Sequence, residues 1–205
     1  PNHFLFSKLA SPWMKILKKI DGIGLINESM TALAQNNGLN NAFVFGDSKF
    51  NRAYDRTQQI HTPHPTLTPW LQQKPTLIFG SAWMPEIELL QHFVQTHPDI
   101  LKSWQILVAP HDVSAEFCGK IKSSLSQLNP QKYSDGITNP SQTQVIILDS
   151  IGQLAQCYRY GAVAIIGGAF GKGLHNSIEA VAFGLPVIFG PNYQKFPTYQ
   201  PQPFL

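Results

Sequence analysis

Charge is scarce in this 205-residue chain: Asp, Glu, Lys and Arg make up only 13% of it, against 43% hydrophobic residues. That balance excludes an intrinsically disordered chain, and the lack of long runs of one sign excludes a polyelectrolyte tail. The net charge of +3 and a pI near 8.9 suit a surface that meets anions. They fall short of the basic stripe of a nucleic-acid binder, so no nucleic-acid partner is expected. Cysteine is nearly absent. Cys118 and Cys157 each fall in a helical run with no second cysteine at metal or redox spacing, and both read as reduced packing residues, which favours a reducing compartment. No stretch approaches the roughly 18 consecutive apolar residues of a membrane span. An initiator Met and a signal-peptide pattern are missing as well, so Pro1-Asn2-His3-Phe4 reads as the middle of a longer sequence. The length admits one domain plus part of another.

What is present is a regular order of elements. Ser11-Pro12 starts a helix in which Trp13, Ile16, Leu17 and Ile20 recur at helical spacing among Lys15, Lys18 and Lys19. It reads as an outer amphipathic helix, with contact to an anionic membrane surface as the alternative. A strand at 24–26, a helix over 28–36 closed by Gly38, and a strand at 42–45 follow. From Tyr54 to Lys74 the sequence turns to Gln, Thr and His with Pro63, Pro65 and Pro69, which disfavours helix and central strand alike. An interdomain linker is expected there, separating an end of a first domain (1–53) from a second domain (75–205). His61 and His64 lack a third ligand at metal spacing and read as solvated loop residues.

After the linker, apolar β-rich runs at 76–79, 105–109, 145–148, 163–166 and 186–189 alternate with helical patterns at 85–96, 113–128, 151–160 and 176–183. Single helices between strands imply crossovers, hence a doubly wound, Rossmann-like α/β domain with a parallel sheet buried on both faces. The connection 129–143, rich in Asn, Pro, Ser and Gln, is expected as an exposed excursion. In such a sheet the strand-to-helix loops share the carboxyl edge, where ligands bind at the topological switch point. The unusual residues fall there: Gly80-Ser81-Ala82, Pro110-His111-Asp112, Asp149 to Gly152, Gly167 to His175, and Gly190-Pro191-Asn192.

The fourth of these loops runs Gly167-Gly168-Ala169-Phe170-Gly171-Lys172-Gly173-Leu174-His175 into Asn176 and Glu179. Two readings fit it. Glycines and a following helix start can cradle a phosphate, or Asn176 and Glu179 form a capping box with Gly184 as the helix stop. A dinucleotide fingerprint needs G-x-G-x-x-G and an acidic residue after the next strand. Here the order is G-G-x-x-G-x-G and the next strand ends in Gly190-Pro191, so NAD is not expected. Nor does a Gly-Lys-Ser/Thr follow for a P-loop.

The runs Asp149-Ser150-Ile151-Gly152-Gln153-Leu154, Ile166-Gly167-Gly168, His175-Asn176-Ser177-Ile178-Glu179-Ala180 and Gly184-Leu185-Pro186-Val187-Ile188-Phe189-Gly190-Pro191 together resemble the carboxyl-terminal half of the Kdo (3-deoxy-D-manno-octulosonic acid) transferases, in the form found in Bacteroidetes-like bacteria. Gly80-Ser81-Ala82-Trp83 with Glu86 and Glu88 is similar to the first loop of that family's second domain. Gly46 to Arg52 is similar to the end of its first domain, with Asn51 where Asp is usual.

The resemblance implies a two-domain GT-B enzyme that moves Kdo from CMP-Kdo to the lipid A precursor, with inversion and without cofactor or essential metal. It implies that Gly168, Phe170, Gly171, His175 and Asn176 surround the donor phosphate and sugar. Glu179 would hold the ribose hydroxyls, with Ser81 and His111 lining the same cleft. The family's general base is a glutamate expected upstream of Pro1, so no catalytic residue is assigned on this chain and turnover is not expected of it alone. Glu28, Glu86 and Glu88 are left at helix starts, where the macrodipole favours carboxylates. The implied setting is the cytoplasmic face of the bacterial inner membrane, with peripheral membrane contact through parts absent here.

Where many members carry Arg-His, this chain has Pro110-His111, so an expected phosphate cation is missing; Lys172 either replaces it or is merely solvated. The proline-dense end from Pro197 to Leu205 reads as truncated or altered. Another GT-B nucleotide-sugar transferase and a non-catalytic nucleotide-binding module remain as alternative readings.

Overall fold

Val145, Ile146, Ile147 and Leu148 are β-rich, consecutive and apolar, and a strand of that kind is stable only with both of its faces covered. The computed structural model, which describes residues 11–59, 65–171 and 173–193, covers them. The chain divides into two units, Pro1–Arg52 and Ala53–Leu205.

The first unit holds α1 (Ser11–Leu17), β1 (Ile23–Leu25), α2 (Glu28–Asn36) and β2 (Ala42–Val44). β1 and β2 pair in parallel, Ile23 opposite Ala42. Asn27 caps α2 by accepting from the Met30 amide at 2.9 Å. Gly38, at φ +85°, closes the helix in the left-handed conformation that glycine adopts without a Cβ penalty. The elements agree with the sequence pattern, but the face of α1 does not. Met14 and Leu17 pack on the small core of Ala34, Leu39 and Ala42. Trp13, Ile16 and Ile20 are exposed. The helix turns Met14 and Leu17 inward, not Trp13 and Ile16, and it ends at Leu17, before Ile20.

α3 (Ser48–Gln59) crosses the boundary between the units. In the second unit follow α4 (Thr68–Leu71), β3 (Thr76–Ala82), α5 (Met84–Thr96), α6 (Ile100–Ser103), β4 (Gln105–Pro110), α7 (Ala115–Ser124), β5 (Gln131–Lys132), β6 (Val145–Ile147), α8 (Leu154–Cys157), β7 (Gly161–Ile166), α9 (Ile178–Ala182) and β8 (Val187–Phe189). All strands pair in parallel in the order β5-β6-β4-β3-β7-β8. From β3 the chain builds outward through β4 and β6, then returns to lay β7 on the other side of β3, so the switch point lies between β3 and β7. Alternate residues feed two cores. Ile146 and Leu148 join Ile78, Leu107 and Ile166 on one face. Val145 and Ile147 join Phe79, Val108 and Ile165 on the other, against Ile87 and Leu90 of α5 and Ile121 of α7. Val163, at the start of β7, is only partly buried; the rest of that run is buried.

Several boundaries shift for local reasons. Ser114 accepts from the Phe117 amide and sets the start of α7 at Ala115, not Val113. Gly152, at φ +85°, delays α8 to Leu154 and leaves Ile151, expected on the helix stripe, 83% exposed. The 129–143 excursion is not simply exposed: β5 adds an edge strand to β6, and Tyr133 and Ile137 pack on the core. The Asp149 carboxylate fastens it by accepting from the Ser134 amide (2.9 Å) and hydroxyl (2.6 Å). Within 54–74 the described part is largely helical. α3 runs to Gln59, and α4 buries Leu67, Trp70 and Leu71, with the Trp70 indole donating to the Thr143 carbonyl at 2.7 Å. Pro69 sits in the first turn of α4, where its missing N–H costs nothing. His61, His64, Lys172 and the 197–205 end lie outside the described residues. Cys118 and Cys157 are free and buried as expected, and burial pushes the Cys157 thiol up to about 12.

Candidate functional site at the carboxyl edge of the sheet

The end of β3 is bent. Ser81 has φ +52°, a left-handed conformation unusual for a residue with a Cβ, and the pairing with β4 slips between Phe79 and Ala82. Such strain at a strand end is a mark of functional loops. The bend brings the Ser81 carbonyl against the Cα of Gly167, where any Cβ would collide with it. The Gly167 amide donates to the Gly80 carbonyl at 2.9 Å. The first and fourth carboxyl-edge loops thus meet at the switch point.

The Gly-rich loop is held by its own backbone and by two neighbours. Gly168, at φ +92°, places its Cα where a Cβ would come within 2.6 Å of the His175 ring. Its carbonyl accepts from the amides of Gly171 (2.9 Å) and Gly173 (3.1 Å), and its amide donates to the Glu86 carboxylate at 2.9 Å. The other oxygen of Glu86, a residue 1% exposed, accepts from the Trp83 amide at 2.9 Å. From the far side the Asn192 amide donates to the Ala169 carbonyl (2.9 Å) and its side chain to the Gly171 carbonyl (3.1 Å). Phe170, at the loop tip, is exposed.

Three aromatic rings close one wall. His111 stacks at 4.3 Å on both Trp83 and His175. The Trp83 indole N–H donates to Nε2 of His175 at 2.8 Å. An indole only donates, so Nε2 accepts and the neutral ring carries its proton on Nδ1. Burial first, and the neighbouring His111 second, hold the His175 pKa below the usual imidazole value, against a smaller opposing pull from Glu86.

The fourth loop ends differently from the capping-box reading. α9 begins at Ile178, not Asn176, and has five residues. Asn176 accepts from the Ile178 amide at 3.2 Å, but Glu179 does not turn back to complete a capping box. Its carboxylate instead forms an ion pair with Arg56 of α3. Ser177 is buried, with a hydroxyl that has no partner among the described residues.

The structure therefore gathers Ser81, His111, Gly168, Phe170, Gly171, His175 and Asn176 around one edge, with Glu179 a turn further along. Sequence reasoning gave no bracing role to Trp83, Glu86 or Asn192, and gave Arg56 none at all. Glu86 carried a signal, its place three residues after the cap of α5, which accounts for one oxygen. The bond of the other to Gly168, 82 residues away, had none. Among the described residues no cluster of three His, Cys, Asp or Glu side chains is placed to hold a metal, and no helix is long and apolar enough to cross a membrane.

This arrangement, Gly-rich and aromatic loops meeting at the switch point of a parallel sheet, is a doubly wound, Rossmann-like α/β fold. In solved structures the chain is similar to the C-terminal CMP-Kdo binding domain of WaaA from Acinetobacter baumannii, with TM-score 0.54 and 24% identity over 72% of this chain and 75% of that one. No protein-family model matches. Among curated sequences it is 44% identical over 124 residues to the 3-deoxy-D-manno-octulosonic acid transferase of Aquifex aeolicus, covering 58% of this chain and 33% of that protein. It is 30% identical over 139 residues to the enzyme of the same name from Haemophilus influenzae, covering 63% and 31%. Over the matched stretch the chain is similar to 3-deoxy-D-manno-octulosonic acid transferases. It spans about a third of the length of the curated relatives it matches.

Proposed function

We propose that this chain supplies the donor half of a glycosyltransferase that moves Kdo from CMP-Kdo to the lipid A precursor in lipopolysaccharide synthesis, at the cytoplasmic face of the inner membrane. The observation that carries the reading is the meeting of the β3 and β7 loops at the switch point, on a chain whose relatives bear that name. Positive φ at Gly168 and the close seat of Gly167 bring loop backbone to the ligand, with His175 Nδ1–H as a donor to the phosphate or sugar. Ser81, His111, Phe170, Gly171 and Asn176 line the cleft, and Glu179 accepts from the ribose hydroxyls. As the glycosidic bond to the CMP phosphate breaks, charge develops on that phosphate, and fixed donors in a walled crevice stabilise it without a metal or cofactor. The base that deprotonates the acceptor hydroxyl is a carboxylate outside this chain, in the amino-terminal domain. General-base assistance is typically worth about 10²–10⁴-fold in rate, so the chain binds donor nucleotide without catalysing transfer.

Thermal unfolding with CMP, UMP and AMP in EDTA tests this. CMP at about 100 times its dissociation constant should stabilise the fold by roughly 2.7 kcal/mol. UMP and AMP should do less, and Glu179→Gln should reduce the CMP shift. A shift that needs magnesium, the absence of a CMP preference, or measurable Kdo transfer by the chain alone would each contradict a part of the proposal. Another GT-B transferase would show a different nucleotide preference, and a non-catalytic module would bind CMP but have no partner domain that restores transfer.

A further inference from the structure

Glu179 is reached by a cation from α3, an element that precedes the whole six-stranded sheet in the chain. The Arg56 guanidinium pairs with Oε1 of Glu179, its side chain half-exposed and that of Glu179 only 21% exposed. α3 is seated at this point by more than the pair. Ala53 and Thr57, one helical turn apart, are both buried, which turns that face of the helix inward. The Thr57 carbonyl accepts from Nη2 of Arg159 at 2.8 Å, and the Arg159 guanidinium lies over the Phe183 ring at 5.8 Å, next to α9. Arg56 thus comes from a helix whose neighbouring residues Ala53 and Thr57 are packed and bonded here, and its guanidinium reaches Glu179 from that place.

We infer that Arg56 is a positioning residue for nucleotide binding: by taking one oxygen of Glu179 it fixes the carboxylate so that the other faces a ribose hydroxyl. The inference rests on the donor-site reading above and deepens it. A carboxylate on a five-residue helix with no capping partner has several rotamers open to it, and each must be frozen before it can hold a sugar. A charge-assisted bond to a preset guanidinium removes that freedom in advance. An ionised carboxylate is acceptor-only, which matches the two O–H donors of a ribose.

The test is the affinity of the 205-residue chain for CMP and for 2′-deoxy-CMP, by calorimetry, in Arg56→Ala, Arg56→Lys, Glu179→Gln and the Arg56→Ala/Glu179→Gln double variant. If Arg56 acts through the ribose contact, Arg56→Ala weakens CMP by about 10-fold, the size of one charge-assisted hydrogen bond. It should leave 2′-deoxy-CMP nearly unchanged, so that the preference between the two nucleotides collapses. Arg56→Lys, which keeps the charge but not the planar fork, restores part of that preference. In the Glu179→Gln background Arg56→Ala adds no further loss, as expected of two residues acting as one unit. Equal weakening of both nucleotides would reduce Arg56 to a general structural role and overturn the inference. So would tighter CMP binding in Arg56→Ala, which would make the pair a competitor of the ribose. If Glu179→Gln loses CMP while Arg56→Ala does not, the inference fails and the donor-site reading stands. If Glu179→Gln binds CMP as well as the unaltered chain, both fall together.

Discussion

The six-stranded sheet of Ala53–Leu205 and the two-stranded sheet of Pro1–Arg52 are made of the same kind of residue and meet opposite fates. Every residue of β4 and β6 is buried, between a core that includes α5 and α7 and a core that includes Leu67 and Trp70. In β2 only Ala42 is buried; Phe43 and Val44, with Phe45 beyond them, stand about half exposed or more. Both sheets are parallel, and parallel strands carry apolar residues on both faces. The difference is cover. Crossover helices close both faces of the larger sheet, whereas among the described residues only Ala34, Leu39 and their neighbours cover the smaller one, on one side. Apolar sequence specifies a strand, and the elements around it decide whether that strand becomes core.

The largest effect should separate these two sheets. Ile146→Ala, at a site with no exposed surface, should cost about 2–5 kcal/mol of unfolding free energy in urea. Phe43→Ala in the same chain should stay within about 0.5 kcal/mol, as surface substitutions do. A Phe43→Ala cost as large as that of Ile146→Ala would break the comparison.

A second contrast lies inside the larger unit, between the core and the site. Glu86 is as buried as the core but is polar, and it answers two amides, those of Trp83 and Gly168. Glu86→Ala should lose about 1–3 kcal/mol by leaving buried N–H groups unanswered. Glu86→Gln, which keeps one carbonyl oxygen, should lose less. An unchanged urea midpoint in Glu86→Ala would show that the Gly-rich loop does not depend on this brace. Gly168 belongs with Glu86 here, since its positive φ and the nearby His175 ring make a Cβ there a strain on the fold as well as a block to ligand.

The smallest effect should be that of pH. His175 is held below the usual imidazole value of 6.5 in the fold, mainly by burial. As pH falls through that value, the unfolded chain takes up the proton first. Stability is therefore full above about pH 6.5 and declines as pH falls toward the lower folded-state value. Partial exposure of the ring screens the effect, so it should be the least of the three. Protonation also removes the acceptor for the Trp83 indole. His175→Gln should flatten this part of the pH profile, and a profile equally steep in the variant would assign the decline to other groups.

Much of the second unit could be read along the chain because its signals are local. Alternating strand and helix periods, an N-cap such as Ser114, and glycines at strand ends each act within a few residues, and together they imply the parallel sheet and its loaded edge. What misled was equally local. Ile151 has helical spacing but precedes a glycine at positive φ, and the prolines at 63–69 suggested a connection where Leu67, Trp70 and Leu71 turn out to be core.

The sequence by itself determined the doubly wound class and the collection of Ser81, His111 and the Gly167–His175 loop at one edge, since strand direction and crossover handedness follow from backbone sterics. Only the tertiary structure decided which side chains hold that edge in shape. Glu86 reaches Gly168, Asn192 reaches Gly171, His111 stacks between Trp83 and His175, and Arg56 reaches Glu179 across 123 positions. Pairings of that span leave no period or spacing in the chain, because they depend on which surfaces the completed sheet brings within hydrogen-bonding or ring-stacking distance of one another.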